Sequence, residues 1–139
     1  MSDLKLFEII AGGLKTNRLR IEVAASNLAN IRASEKNGKV YRRKIPIVRT
    51  EPVSFDEQLE KNLKKPEVSQ IVEDQRPPLL VYDPSHPDAG PDGYVRYPNI
   101  NMMEELVDFL TSSRAYELNL NAWTVSRDLI LKTLEMGNK

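Results

Sequence analysis

The sequence predicts a mainly α fold, with long N- and C-terminal helices packed as an antiparallel coiled-coil-like pair and a small proline-rich β/loop region between them. Two observations predict it. All nine prolines fall between Pro46 and Pro98. Both proline-free ends carry apolar residues that step by three and four, the signature of a helix face. The expected division is residues 1–32 as the first helix of an assembly core, 33–100 as an extended middle region and 101–139 as the second helix.

In the first helix Phe7, Ile10, Leu14, Asn17, Ile21, Ala24, Leu28 and Ile31 form one seam with a single polar position, Asn17. A lone buried amide in such a seam can fix register. In the second helix Leu106, Phe109, Ser113, Tyr116, Leu120, Trp123, Arg127, Ile130 and Leu134 follow the same rhythm. Asn101 with Glu104 three residues on resembles a capping box, and Gly137 is placed to stop the helix. The lone aromatics Tyr116 and Trp123 on this seam read as core packing.

A second stripe runs down the other side of each helix. On the first it is Ile9, Gly12, Thr16, Leu19 and Val23; on the second, Val107, Thr111, Ala115, Leu118, Ala122, Val125 and Leu129. A two-helix hairpin buries one stripe per helix, and no third long helix is available in the chain. The second stripes are therefore expected to meet neighbouring subunits.

Within the middle, Asn37-Gly38 signals a tight turn before a β-prone run, Val40–Val48, which Pro46 makes an edge strand. Ser54 and Glu57 form a capping box for a short helix carrying Phe55, Leu59 and Leu63 and ending at Pro66. Val68–Val72 and Leu79–Tyr82 are expected strands, and Asp83 to Pro98 a turn-rich extended stretch.

Composition excludes several functions. The chain is 40% apolar and 29% charged, with no apolar run long enough for a membrane span, so no direct membrane insertion is expected. The N-terminus lacks the basic and apolar regions of a cleaved signal peptide. There are no cysteines, and the formal net charge is zero, which argues against nucleic acid as a partner. That neutrality is uneven: residues 32–50 carry seven basic and one acidic side chain, and residues 51–98 five basic and ten acidic. A head-to-tail contact between copies would match them.

Asp83, His86, Asp88 and Asp92 form the one cluster that resembles a metal or acid/base site. Ser85 and Pro87 occupy what would be ligand positions of a Ca²⁺ loop, and one histidine without a second soft ligand makes a poor zinc site. The cluster reads as a proline-pinned turn. No catalytic residue, metal or cofactor is expected.

Three motifs go beyond pattern. Ala25-Ser-Asn-Leu-Ala-Asn30 resembles the N-terminal signature of bacterial flagellar rod, hook and hook-associated proteins. Val81-Tyr-Asp-Pro-Ser-His-Pro-Asp-Ala89 and Gly93-Tyr-Val-Arg-Tyr-Pro-Asn99 resemble the central signature of FlgC-type proximal-rod subunits. Glu105, Ser113-Arg-Ala-Tyr-Glu-Leu-Asn119 and Leu134-Glu-Met-Gly137 resemble their C-terminal signature. The family positions matched are Asn27, Asn30, Tyr82, Asp83, Pro84, His86, Pro87, Tyr94, Pro98, Asn99, Arg114, Tyr116 and Asn119. One stretch departs, Ile31-Arg32-Ala33-Ser34, where the family carries small residues, Asn and Thr.

The resemblance implies a structural subunit of the basal-body rod, the shaft that carries torque to the hook. It implies partners in other copies of the chain, other rod subunits, the membrane-ring/rod junction protein and the flagellar type III export apparatus. It places the chain in the periplasmic rod, exported without a cleaved signal. Two other classes compete: a soluble coiled-coil adaptor or export chaperone that holds a client helix, and an enzyme using Asp83 and His86.

Overall fold

A computed structural model of the chain describes residues 2–52 and 64–137. Its elements run α1 (Ser2–Ala29), β1 (Lys44–Pro52), β2 (Lys64–Glu73), β3 (Leu79–Tyr82), β4 (Tyr94–Tyr97) and α2 (Met102–Gly137). The strands form two antiparallel two-stranded sheets, β1–β2 and β3–β4. Both long helices are present, with the small sheets between them.

α1 ends at Ala29, so Ile31 lies beyond the helix in the following turn rather than on its seam. The stop is local. Asn30 donates from both its backbone and its side-chain amide to the Ser26 carbonyl, at 3.2 and 2.8 Å, satisfying an acceptor the last turn leaves open. α2 begins where Asn101 Oδ1 accepts from the Met103 and Glu104 amides, at 3.0 and 3.4 Å. That is an N-cap, and Glu104 and Glu105 in the first turn suit the positive end of the helix dipole.

The Asn37-Gly38 turn forms as read. Both residues have positive φ, and Lys36 and Lys39 exchange two backbone bonds of 3.0 Å, a two-residue primed turn. The strand expected at Val40 begins only at Lys44. Beyond the Lys44↔Glu73 pair one further bond forms, from Asp74 N–H to Arg43 O at 2.8 Å. Past Asp74 the paired segment leaves toward Pro77-Pro78, so Val40–Arg42 have no ladder to join. Val68–Val72 does form a strand, but within a longer one, and Pro66 stands inside β2 rather than ending a helix. The short helix expected from Ser54 lies outside the described residues. A register shift between Ile47 and Val48 leaves Ser69 as an extra residue, and its hydroxyl donates to Ile47 O at 3.2 Å.

β3 forms as expected, and β4 arises within the stretch read as turn-rich and extended. Between them, successive turns close with His86 N–H on Asp83 O, Ala89 N–H on His86 O and Gly93 N–H on Gly90 O. Gly93 has φ +76°, and a Cβ there would stand 2.8 Å from the Tyr82 ring, so glycine is needed on both counts.

The interior is small and mixed. Among the described residues Ile10, Val23, Ala24, Val95, Pro98 and Ile100 are buried and apolar, beside the buried polar Thr16, Asn17, Asn27, Glu105 and Ser112. A fold with that balance is specified by polar pairing as much as by apolar burial.

Candidate assembly interface

The two helices meet along a line whose contacts run in opposite senses. Phe7 packs edge-on against Trp123 with ring centroids 4.6 Å apart. Gly13 lies against the Asn119 amide, close enough that a Cβ would fall 2.9 Å from it. Arg20 approaches Asp108 at 4.0 Å. Asn27 donates to Glu105 Oε2 at 3.0 Å.

The expected α1 seam lies along this line, with Ile10, Asn17 and Ala24 buried and Phe7, Leu14, Ile21 and Leu28 half-buried. The expected α2 seam holds only in part. Phe109, Ser113, Tyr116 and Ile130 are half-buried, and Trp123, itself exposed, reaches Phe7; Leu106 and Leu120 are exposed. Glu105, Ser112 and Asn119 take the alternate inward places. The reason is the facing surface. Gly13 leaves room for an amide, and Asn27 supplies a hydrogen-bond partner for a carboxylate, so polar residues fit there and leucines turn outward. Arg127 and Leu134 are exposed as well. Asn17 also behaves differently from expectation. Its amide donates to Gly13 O within its own helix at 2.9 Å, and the buried cross-helix hydrogen bond belongs to Asn27.

Asn27 is the centre of a clasp. It is 1% exposed and uses every hydrogen-bonding site it has. Its Nδ2 donates to Lys44 O at 2.9 Å and to Glu105, while its Oδ1 accepts from Lys44 N–H at 2.9 Å and from the Tyr41 hydroxyl at 3.0 Å. Tyr41 also bonds Ser26 Oγ, at 3.0 Å. Arg43 completes the group through a charge-assisted hydrogen bond from Nε to Glu105 Oε1. The end of α1, the start of β1 and the first turn of α2 are thus tied at one buried point. Arg43, Tyr41 and Glu105 were not singled out for this role by sequence; the basic run Arg42-Arg43-Lys44 was the available signal.

The second stripes part company. On α1 the stripe is covered within the chain: Gly12 faces Pro66 O and the Lys65 side chain, and Thr16 and Val23 are buried. The start of β2 lies against Gly12, and Thr16 and Val23 are buried within the subunit, where contacts with neighbouring subunits were expected; Ile9 and Leu19 are half-buried. On α2 the stripe is open. Val107, Leu118, Val125 and Leu129 are all more than half exposed, Ala122 is exposed and Ala115 half-buried.

The remaining family positions hold the middle in shape. The Tyr82 and Tyr94 rings meet at 5.2 Å. Asp83 Oδ1 accepts from Ser85 Oγ at 2.6 Å and Ser85 N–H at 3.2 Å, and the Ser85 hydroxyl holds this carboxyl below the usual carboxylate range. His86 Nδ1 accepts from Asp88 N–H at 3.0 Å, and Asp88 in turn accepts from Ser34 Oγ at 2.5 Å. Asp92 lies 3.6 Å from Arg96, which also binds Glu35 at 3.1 Å. These side chains are engaged in tying turns together. Pro84 lies over Gly93, Pro87 is exposed, Pro98 is buried, and Asn99 donates to Pro77 O at 3.1 Å. Arg114 pairs with Glu117 on the helix surface at 3.2 Å, and Asn119 donates to Ala115 O at 2.9 Å.

Residues 92–136 match the family model described as the C-terminal region of the flagellar basal body rod FlgEFG proteins. Over its whole length the chain is similar to flagellar basal-body rod proteins FlgC. It is 36% identical to that of Bacillus subtilis across 99% of both chains. It is 34% identical to that of Aquifex aeolicus across 97% of both, and 33% identical to that of Salmonella typhimurium across 99% of both. With identity of this level over nearly the full length of each relative, the chain belongs to the FlgC family of flagellar basal-body rod proteins.

Proposed function

We propose that this structural rod subunit joins its neighbours through the outward side of α2, while α1 is committed to contacts inside the subunit. One observation carries the proposal. At 100° per residue, the exposed Leu106, Val107, Leu110, Leu118, Leu120, Val125 and Leu129 cover about half the circumference of α2. That arc is too wide for a single helix stripe and suits two neighbours. An adaptor holding one client helix would need only one stripe.

The two helices then act as a coiled-coil-like pair in the assembly core, with residues 33–100 outside it as a clasp. Because many interlocked helices resist bending and twisting together, such a packing suits a shaft that carries torque. A position in the proximal rod, contacts with other rod subunits and with the membrane-ring/rod junction, and export into the periplasm by the type III apparatus without a cleaved signal all accord with this reading. The basic and acidic regions would favour a head-to-tail arrangement.

Leu118→Asp and Val125→Asp test the proposal in a complemented strain. Loss of rods and motility with normal export is expected, and intact rods in both variants would overturn it. Free subunits should also show incomplete helicity that rises on assembly, read by circular dichroism across concentration.

A further inference from the structure

The chain guards one of its sheets and leaves the other bare. The β1–β2 hairpin carries Pro46, Pro52 and Pro66 with Lys44, Arg49, Lys64 and Lys65 along its strands. These are the residue types that keep strand edges from pairing with other chains. β3, Leu79-Leu-Val-Tyr82, has neither proline nor charge, and all four residues are exposed.

The open side of β3 can be specified. Asp83 N–H bonds Gly93 O at 3.0 Å, and the register continues through Val81↔Val95 and Leu79↔Tyr97. Alternation along an antiparallel ladder therefore turns the backbone groups of residues 79, 81 and 83 toward β4 and those of Leu80 and Tyr82 away from it. β4 keeps the same phase, since the outward carbonyls of Arg96 and Tyr94 accept from Glu35 and Gly90, each at 2.9 Å. Two N–H and two C=O groups thus face outward from β3, beyond the two-stranded β3–β4 sheet.

We propose that this edge pairs with the same edge of a second copy, the two β3 strands antiparallel about a two-fold axis at Val81. The register follows from the backbone phase. Only residues with outward groups can exchange bonds, so Leu80 pairs with Tyr82 of the second copy and Tyr82 with its Leu80, four backbone bonds in all. Val81 then faces Val81 of the second copy in the close, non-hydrogen-bonded position. Pro78 falls opposite Pro84 of the second copy, so residues without an N–H stand where the contact ends. Asp83, the one charge in the span, faces Leu79 of the second copy, and no like charges oppose.

The product is a four-stranded sheet, β4–β3–β3–β4, which has the stability that a lone two-stranded ribbon lacks. Four residues a side make a small contact, so the pairing is concentration-dependent. A two-fold contact closes on itself and cannot extend a shaft. It is a contact of free subunits, and it does not depend on the outward face of α2.

The absence of native cysteines makes the test direct. Under a mild thiol oxidant such as diamide, Val81→Cys gives a covalent dimer of the full chain. Leu79→Cys, two residues away on the same face, does not, because it meets Asp83 rather than itself. In sedimentation equilibrium Val81→Lys and Val81→Glu each raise the dimer Kd by about ten-fold or more, and their equimolar mixture restores it. Leu80→Pro removes an outward N–H and no bond to β4, and produces the same loss. A wild-type chain that stays monomeric, dimers unaffected by all three non-cysteine substitutions, or cross-linking at residue 79 in place of 81 would each overturn the proposal.

Discussion

Among the described residues, α2 exposes thirteen large apolar side chains and α1 only two, Leu4 and Leu6. Both helices carry two apolar stripes, yet one spends both inside the subunit and the other spends barely one. The difference comes from what lies alongside. The β1–β2 hairpin is laid along α1, with Pro66 on Gly12, and the clasp at Asn27 ties its first residue, Lys44, to the end of the helix. No described strand packs along α2 in this way. Its register adds to the effect: with Phe7 at Trp123, α1 runs out near residue 128, and the last nine residues of α2, about 14 Å, project beyond it. Leu129, Leu131, Leu134 and Met136 are exposed there. A subunit with one satisfied helix and one unsatisfied helix is suited to building an assembly.

Breaking the clasp should have the largest effect, because it holds the hairpin on α1. Arg43→Ala leaves the Glu105 carboxylate, 2% exposed, without its cation. Removing one partner of a buried pair costs about 3–5 kcal/mol in unfolding free energy, read by urea denaturation. Replacing both, Arg43→Met with Glu105→Leu, should recover part of that loss, since no bare charge then remains. If Arg43→Ala costs under about 1 kcal/mol, the clasp does not hold the middle in place.

Equivalent substitutions on the two second stripes give the sharpest contrast. Val23→Asp buries an unpaired carboxylate where α1 is covered, and should lower subunit stability by about 3 kcal/mol or more. Val125→Asp, at a site 58% exposed, should stay within about 0.5 kcal/mol of wild type in the same measurement. Equal costs would mean that the stripes are used alike.

Legibility in the sequence divides along the same boundary. Helices, the Asn37-Gly38 turn and β3 are set by local chemistry: proline-free three-four stepping, a residue pair that accepts positive φ, and a short apolar run between prolines. The hairpin over α1 was not legible, because it depends on contacts between residues some fifty positions apart, Gly12 with Pro66. α2's inward face was misjudged for a related reason. Leu106 and Leu120 outrank Glu105 and Asn119 in any apolar count, and only the partner surface, a glycine and an asparagine, reverses the ranking. Glu105 was visible as part of a family motif, but its buried bonds to Asn27 and Arg43 were not. β4 was obscured by the Gly, Pro and Asp around it, although Tyr94-Val-Arg-Tyr97 is itself β-prone.

Gly13 refines the comparison at a smaller scale. Alanine is preferred to glycine inside a helix by about 1 kcal/mol, but here its Cβ would displace the Asn119 amide that bonds Ala115 O. Gly13→Ala should therefore destabilise by about 1 kcal/mol in the native background and stabilise by about 1 kcal/mol beside Asn119→Ala. The change of sign, measured as a double-mutant cycle, would locate the cost in the side-chain seat rather than in the helix.

Ser112 should give a small effect, and a favourable one. It is fully buried on the inward side of α2, and its hydroxyl has no hydrogen-bond partner among the described residues. Burying an unpaired hydroxyl costs more than the van der Waals contact of one oxygen returns, so Ser112→Ala should raise stability by about 0.5–1 kcal/mol in urea denaturation. A larger side chain should do the opposite, because a residue with no exposed surface has no room to grow. If alanine destabilises, the hydroxyl must have a partner in solution, and the seam is then satisfied at every polar position. If alanine stabilises, the seam holds a residue that improves neither burial nor bonding in the free subunit. A helix pair built on Gly13, Ser112 and Asn119 trades apolar area for close approach and a single register. The stability it gives up is what the outward leucines and valines of α2 would return once neighbours cover them.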